Sequence, residues 1–168
     1  MEARSLPVPG RGLIRLVVVG ILACLAQIVL AQFLTSIVAG GHAAMHALMA
    51  LVALLPALGI AWRWPAGGLA TRAPVLGLVA LATAQFVESI GAFGYGPDND
   101  GRVNGIVVLH DLGSGLTALG LVAAVVGIAV GIGAVASRRQ GRLRLAMLGA
   151  AAAVGVMGTV FIKTMIGL

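Results

Sequence analysis

Two histidines, His46 and His110, lie inside long apolar stretches of the sequence, where titratable side chains are rare. A charged residue in the middle of a membrane span costs about 3 kcal/mol on insertion scales, so a titratable residue there indicates a functional site. Neutral imidazole is a common metal ligand, and two imidazoles can bind a haem iron from opposite faces. The pair therefore predicts a haem or metal site, on the condition that the fold brings the two rings together.

A third histidine offers a different set of ligands. His42 and His46 are four residues apart and share one face of a helix, which is the spacing of a metal-binding pair. Met45 and Met49 add thioethers, which suit Cu(I). This segment is an alternative copper site, built on His42, Met45 and His46.

The composition of the chain is that of a membrane protein. Of the 168 residues, 60% are hydrophobic and 10% are charged, with a mean hydropathy of +1.09. Soluble domains average about one quarter charged residues. The net charge of +6 is spread between apolar runs and forms no continuous basic groove, which excludes a nucleic-acid partner. Cys24 is the single cysteine, which excludes an intramolecular disulfide.

Four interruptions divide the apolar sequence, at residues 40–41, 63–74, 97–104 and 138–144. A helix that crosses about 30 Å of hydrocarbon needs roughly 20 residues. The stretches between them predict five transmembrane helices, near residues 13–38, 42–62, 75–93, 106–136 and 145–167. We expect an all-α, polytopic membrane helical bundle in which residues 1–168 form a single integral membrane domain.

The distribution of basic residues predicts the direction of these spans. If the helices alternate, only Arg102 and Lys163 lie on one side. All the other basic residues lie on the opposite side: Arg4, Arg11, Arg15, Arg63, Arg72, Arg138, Arg139, Arg142 and Arg144. Cytoplasmic loops are enriched in arginine and lysine, so the N-terminus is expected in the cytoplasm, with the chain in the bacterial inner (plasma) membrane. The histidines then lie near the outer face.

A short motif occurs twice in the chain. Residues 31–37 (AQFLTSI) and 84–90 (AQFVESI) are identical at five of seven positions. Each copy lies toward the outer end of an outward-running span, and the inward-running span that follows begins with a histidine, His46 or His110. The pattern predicts a parallel two-helix internal repeat, in which both imidazoles lie at the same depth and point into one cavity.

The residues beside each histidine are small, as a flat macrocycle between two helices would require. Positions three, four and seven after a helical residue share its face. After His110 these positions are Gly113, Ser114 and Thr117, and after His46 they include Ala50. Arg102 and Lys163 are the basic residues at the right level to pair with haem propionates, although Lys163 could instead extend to the lipid headgroups.

Glu88 takes the place of Thr35 in the repeat and is the one carboxyl group well inside the third span. An unpaired carboxylate there is costly, so we expect it to be protonated or hydrogen-bonded to a histidine or to Lys163, with a possible role in proton handling.

Two further interpretations concern packing alone. The histidines could bond Gln32 and Gln85 in a polar seam that holds the bundle together. Gly127 and Gly131 form a GxxxG pattern, which predicts close packing of the fourth span against the fifth or against a second protomer.

The repeated arrangement of AQF motif, outer loop and histidine, over residues 27–130, resembles one half of the haem A synthase superfamily and related small bacterial membrane proteins. In that family each half is a four-helix bundle that holds a b-type haem, and the resemblance implies His46 and His110 as axial ligands. The family's hydroxylating half has a glutamate shortly before its first histidine, whereas Ala43, Ala44 and Met45 precede His46 here. The resemblance thus implies a haem pocket without haem-modifying chemistry.

These observations lead to three expected functions. The first is a membrane b-type haem protein, which transfers electrons between a membrane quinone and an outer partner or handles haem. The second is a non-catalytic accessory subunit of a homo-oligomer or larger membrane complex, in which the polar seam only packs. The third is a copper-binding membrane protein.

Overall fold

The computed structural model describes residues 41–93, 107–138, 140–145, 147–149 and 151–152, without the side chain of residue 107. Three long helices account for most of them: α1 (Gly41–Arg63), α2 (Leu69–Ala92) and α3 (Val107–Ala136). All three are long and apolar enough to cross a membrane. The all-helical class is confirmed for this part of the chain, and the three helices are candidate membrane spans.

The three helices correspond to the second, third and fourth predicted spans. The first predicted span, the first copy of the repeat, Arg102 and Lys163 lie outside the described residues. Of the fifth span, only part of residues 145–152 is described, and that part is helical. The count of five spans and the internal repeat therefore stay predictions.

The start of α2 differs from the sequence expectation. The helix begins at Leu69, six residues before the predicted boundary, after a turn in which Gly68 has a φ of 62°. The amide groups of Thr71 and Arg72 both donate to the Gly68 carbonyl and start the helix there. Pro74 is the sixth residue of α2, where it removes the helical hydrogen bond to the Ala70 carbonyl.

α2 lies between the other two helices and is antiparallel to both. Half of its most apolar stretch is buried, compared with one third in α1 and α3. Along the α1–α2 contact, His46 meets Gln85 and Ser89 meets Ala43.

The contact between α2 and α3 is made by glycines seven residues apart. A Cβ atom on Gly113 would lie 2.6 Å from the Glu88 Cα, and one on Gly120 would lie 2.8 Å from the Leu81 Cα. Gly127 meets the backbone of Ala73 in the same way. The two backbones therefore approach more closely than a side chain would allow, as is common between membrane helices.

This packing corrects the interpretation of the GxxxG pattern. A Cβ atom on Gly131 would lie 3.0 Å from the Pro74 ring, and Gly127 faces Ala73. Both glycines thus pack against α2, a partner that the GxxxG pattern did not identify, and most of the fifth span lies outside the described residues.

The residues inside and outside the bundle are distributed as in a membrane protein. The buried positions of α1 and α2 are occupied mainly by alanine and by polar side chains. Large apolar side chains point outward instead, among them Leu55, Leu76, Phe86, Leu112 and Leu119. Lipid can cover such an apolar surface, whereas small interior residues let helices approach.

Candidate metal centre

Three histidines meet at one end of the bundle. His42 and His46 come from the first turns of α1, and His110 comes from the first turn of α3. The His42 Nε2 atom lies 3.0 Å from the Nε2 atom of His46 and 3.0 Å from that of His110. One ligand atom from each ring can be chosen so that all three lie within 4.8 Å of one another.

The rings are packed as a compact triangle. The ring centroids are 5.0 Å apart for His42 and His46, 4.9 Å for His42 and His110, and 5.5 Å for His46 and His110. His42 therefore contacts both His46 and His110, the two residues predicted from the sequence to form a ligand pair. The structure brings the predicted haem pair and the predicted copper pair into one cluster.

Local sequence explains how the rings reach this place. His42 and His46 are one helical turn apart and point to the same side of α1. On α2, Gly91 lies against the backbone of His110, and a side chain at that position would overlap it. A glycine at residue 91 thus allows α3 to bring His110 close to the α1 histidines.

Gln85 orients the His46 ring. Its Oε1 atom lies 2.9 Å from the His46 Nδ1 atom, and its Nε2 atom donates to the Thr117 Oγ1 atom at 3.2 Å. Since an amide oxygen only accepts, the His46 Nδ1 atom carries the proton and its Nε2 atom keeps a lone pair. That lone pair is on the atom that lies against His42.

Glu88 lies directly behind the histidines and accepts two hydroxyl hydrogen bonds. Ser114 donates to Oε1 at 2.5 Å and Thr117 donates to Oε2 at 2.8 Å. The same oxygens lie 3.9 Å from the His110 Nε2 atom and 3.5 Å from the His46 Nδ1 atom. Because the Thr117 hydroxyl accepts from Gln85, its own proton is directed at Glu88. A continuous hydrogen-bond network therefore runs from Gln85 through Thr117 and Glu88 to Ser114.

Two carboxyl groups lie beside the histidine cluster. Glu88 is buried, with 7% of its side chain exposed, and Asp111 lies on the other side of His110 at 3.9 Å. In the described part of the chain, arginines occur only in or next to the opposite ends of the helices: Arg63, Arg72, Arg138, Arg142 and Arg144. A cation bound by the histidines would therefore compensate the Glu88 carboxylate.

The other predicted site residues have different places. Gly113, Ser114 and Thr117 contact Glu88. Ala50 is buried one turn below His46, and Met45 is partly buried. Arg102 and Lys163 lie outside the described residues, so their pairing with propionates stays a prediction.

Two features of the site were not predicted from the sequence. One is that the two histidine pairs form a single cluster, and the other is that Ser114 and Thr117 bond Glu88. A signal for the hydroxyl partners was present, since Gln85 and Glu88 on α2, and Ser114 and Thr117 on α3, are each three residues apart and share a helix face. The predicted hydrogen bond between His46 and Gln85 is confirmed, and Gln32 lies outside the described residues.

No family model matches the chain, and no curated protein or solved structure is found to be similar to it. The resemblance to the haem A synthase superfamily therefore stays a prediction.

The histidine triangle fits a single ion better than a haem. Bis-histidine ligation of haem needs two imidazoles on opposite faces of a flat macrocycle. The His46 and His110 ring centroids are instead 5.5 Å apart, and each ring contacts His42. A porphyrin between them would have to push these rings apart.

Proposed function

We propose that the protein is a multi-pass membrane protein that binds one first-row transition-metal ion through His42, His46 and His110. The observation that carries this proposal is the convergence of three imidazole nitrogens from two helices on one point. A ring nitrogen has either one proton or one lone pair, so the His42 Nε2 atom can form a linear hydrogen bond with one of its two neighbours. A metal ion would serve all three nitrogens at once.

The distances between the nitrogens suit such an ion. Tetrahedral zinc sites have Zn–N bonds of about 2.0–2.1 Å, which gives about 3.3 Å between neighbouring ligand nitrogens. The two separations at His42 are 3.0 Å and all three ligand atoms lie within 4.8 Å of one another, so a shift of the rings that evens out these separations would admit an ion.

The residues behind the ligands support the same proposal. Metal-bound histidines usually donate their second ring N–H to a carboxylate, a carbonyl or water. Gln85 supplies such an acceptor to the His46 Nδ1 atom. The buried Glu88 carboxylate supplies a compensating charge for the ion.

The three imidazole ligands limit the metal to those that bind nitrogen well. Imidazole suits zinc, copper, iron and nickel, and three histidines leave a fourth position for water or a substrate atom. Copper is the member that Met45 would favour, because a thioether is a soft ligand. The arginine bias favours an orientation in which the histidine end lies at the outer face of the bacterial inner membrane, and the ion would then be exchanged with that side.

The test is metal binding by the purified full-length protein in detergent. We expect one Co²⁺ or Zn²⁺ per chain by elemental analysis, and visible absorption bands from bound Co²⁺. His42→Ala, His46→Ala and His110→Ala should each lower the affinity by at least about tenfold. Thr83→Ala is the control, because Thr83 is exposed on α2 and bonds only its own helix.

Each variant is compared with the wild type by circular dichroism and gel filtration, so that loss of the ion is separated from loss of the fold. Binding that survives in all three histidine variants would contradict the proposal. Folded protein that binds no metal would favour a non-catalytic accessory subunit. A Soret band that disappears in His46→Ala and His110→Ala would favour haem, and with it electron transfer with a quinone.

A further inference from the structure

Glu88 is the one buried carboxyl group among the described residues. Its two oxygens lie within hydrogen-bond distance of the Ser114 and Thr117 hydroxyl groups, which can stabilise a carboxylate there. A carboxylate inside an apolar bundle requires a nearby positive charge. The histidine cluster, with ring nitrogens 3.5 and 3.9 Å from the carboxylate oxygens, is the place where that charge can lie.

The charge of Glu88 affects ions of different valence unequally. Three neutral imidazoles bring no charge to a metal site, so Glu88 is the negative group that faces the ion from α2. Coulomb attraction grows in proportion to the charge of the ion, so the carboxylate attracts a divalent ion twice as strongly as Cu(I) at the same place. The cost of burying net charge also rises steeply with its size, which adds to the difference.

We propose that Glu88 is the residue that determines metal specificity, and that its charge makes the histidine cluster favour a divalent ion such as Zn²⁺ over Cu(I). This inference rests on the proposed function. Glu88 acts here through space and through the His46 ring, and it need not be a ligand. Without its charge, the three imidazoles form a neutral site that accepts Cu(I) with less relative loss.

The experiment compares two affinities in the full-length protein. Zn²⁺ binding is measured by competition with a zinc-chelating dye, and Cu(I) binding by competition with a Cu(I) chelator under reducing conditions. Glu88→Gln removes the charge with little change of shape. We expect it to shift the ratio of Zn²⁺ to Cu(I) affinity by about tenfold toward Cu(I), because the loss for Zn²⁺ should be about twice as large on a logarithmic scale.

Two further variants separate charge from packing. Ser114→Ala removes a hydrogen bond to Glu88 but no charge, so both affinities should change by a similar factor. The double variant Glu88→Gln with Gln85→Glu moves the carboxylate to the neighbouring position that bonds His46. It should bring the affinity ratio back toward the wild-type value, and it provides a readout if the single variant does not fold.

The outcomes distinguish this inference from the proposal on which it rests. If the wild type binds metal and Glu88→Gln lowers both affinities equally, the inference is wrong and the metal site stands. A double variant that keeps the ratio of the single variant would also overturn the inference. If the folded wild type binds neither ion, the proposed function itself has failed, and the specificity role falls with it.

Discussion

The His46 imidazole is the best-defined ligand of the candidate metal centre, because its second ring nitrogen has a buried partner. The Gln85 amide holds the Nδ1 atom at 2.9 Å, and Gln85 is itself held by Thr117. The ring therefore cannot rotate without breaking its hydrogen bond to Gln85. An imidazole that is oriented before the ion arrives loses less entropy on binding.

Gln85→Leu should therefore weaken metal binding without removing a ligand. Leucine keeps the volume but offers no acceptor to the His46 Nδ1 atom and no donor to Thr117. Loss of such an outer partner typically lowers metal affinity by about 10- to 100-fold. The measurement is Co²⁺ titration of the folded variant, followed by visible absorption, with Thr83→Ala as the matched control on α2. An affinity equal to that of the wild type would show that the amide has no orienting role.

The sequence predicted several individual residues of this site. The repeated AQF motif singled out Gln85 and Glu88, and apolar surroundings singled out the histidines. It predicted a histidine or Lys163 as the partner of Glu88. The structure has the His46 Nδ1 atom 3.5 Å from the carboxyl group and adds Ser114 and Thr117 as hydroxyl partners, while Lys163 lies outside the described residues. Hydroxyl groups are too common in apolar helices to be identified as partners before the facing helix is known.

The contact between α2 and α3 depends on α3 glycines that lie against the α2 backbone. Other glycines of α3 do not make this contact. Gly120 lies so close to Leu81 that a Cβ atom there would be 2.8 Å from its Cα atom. Gly133 on the same helix has nothing within 4 Å of the equivalent position. The two positions form a matched pair for the same substitution.

Gly120→Ala should destabilise the protein by about 1–3 kcal/mol, because the added methyl group forces the two helices apart. Gly133→Ala should change stability by less than about 0.5 kcal/mol, as expected at a position without neighbours. Both are measured as unfolding free energies in detergent, by denaturant titration followed by circular dichroism. Equal destabilisation by the two variants would contradict the close α2–α3 contact.

The helices also show where sequence patterns are misleading. Pro74 indicated an interruption, but α2 passes through it because the proline lies in the second turn and its ring packs on Gly131. Gly127 and Gly131 were correctly predicted as a packing surface, although the helix that they contact is α2. A small-residue pattern shows that something approaches closely, and only the fold shows which helix it is.

The bundle as a whole has its polar groups inside and its large apolar side chains outside. Glu88, Gln85 and His46 are buried, whereas many leucines and phenylalanines are exposed. Exposing so much apolar surface is unfavourable in water, whereas the hydrocarbon of a bilayer can solvate it. The three helices are accordingly suited to lipid on the outside and to one polar site within.

The predicted orientation is open to a direct test with single cysteines on a Cys24→Ala background. Ser137→Cys lies just after α3, near Arg138, and Phe93→Cys lies at the opposite end, next to α2. Because arginines concentrate on the cytoplasmic side, a membrane-impermeant maleimide added to intact spheroplasts should label Phe93→Cys and not Ser137→Cys. The reverse labelling would place the histidine cluster on the cytoplasmic side.

The sequence alone determined the class of the protein and the places of three membrane helices. This was possible because a bilayer demands about 20 apolar residues for every crossing, and such runs are visible without knowing the fold. The four-residue spacing of His42 and His46 was equally visible, since it depends only on the local geometry of one helix.

Only the tertiary structure decided that His110 joins these two residues, and that Glu88 lies behind them. His42 and His110 are 68 residues apart, and their meeting depends on how closely α3 approaches α2 at Gly91 and Gly113. That approach results from backbone packing between helices distant in the chain. No spacing within a single helix encodes it.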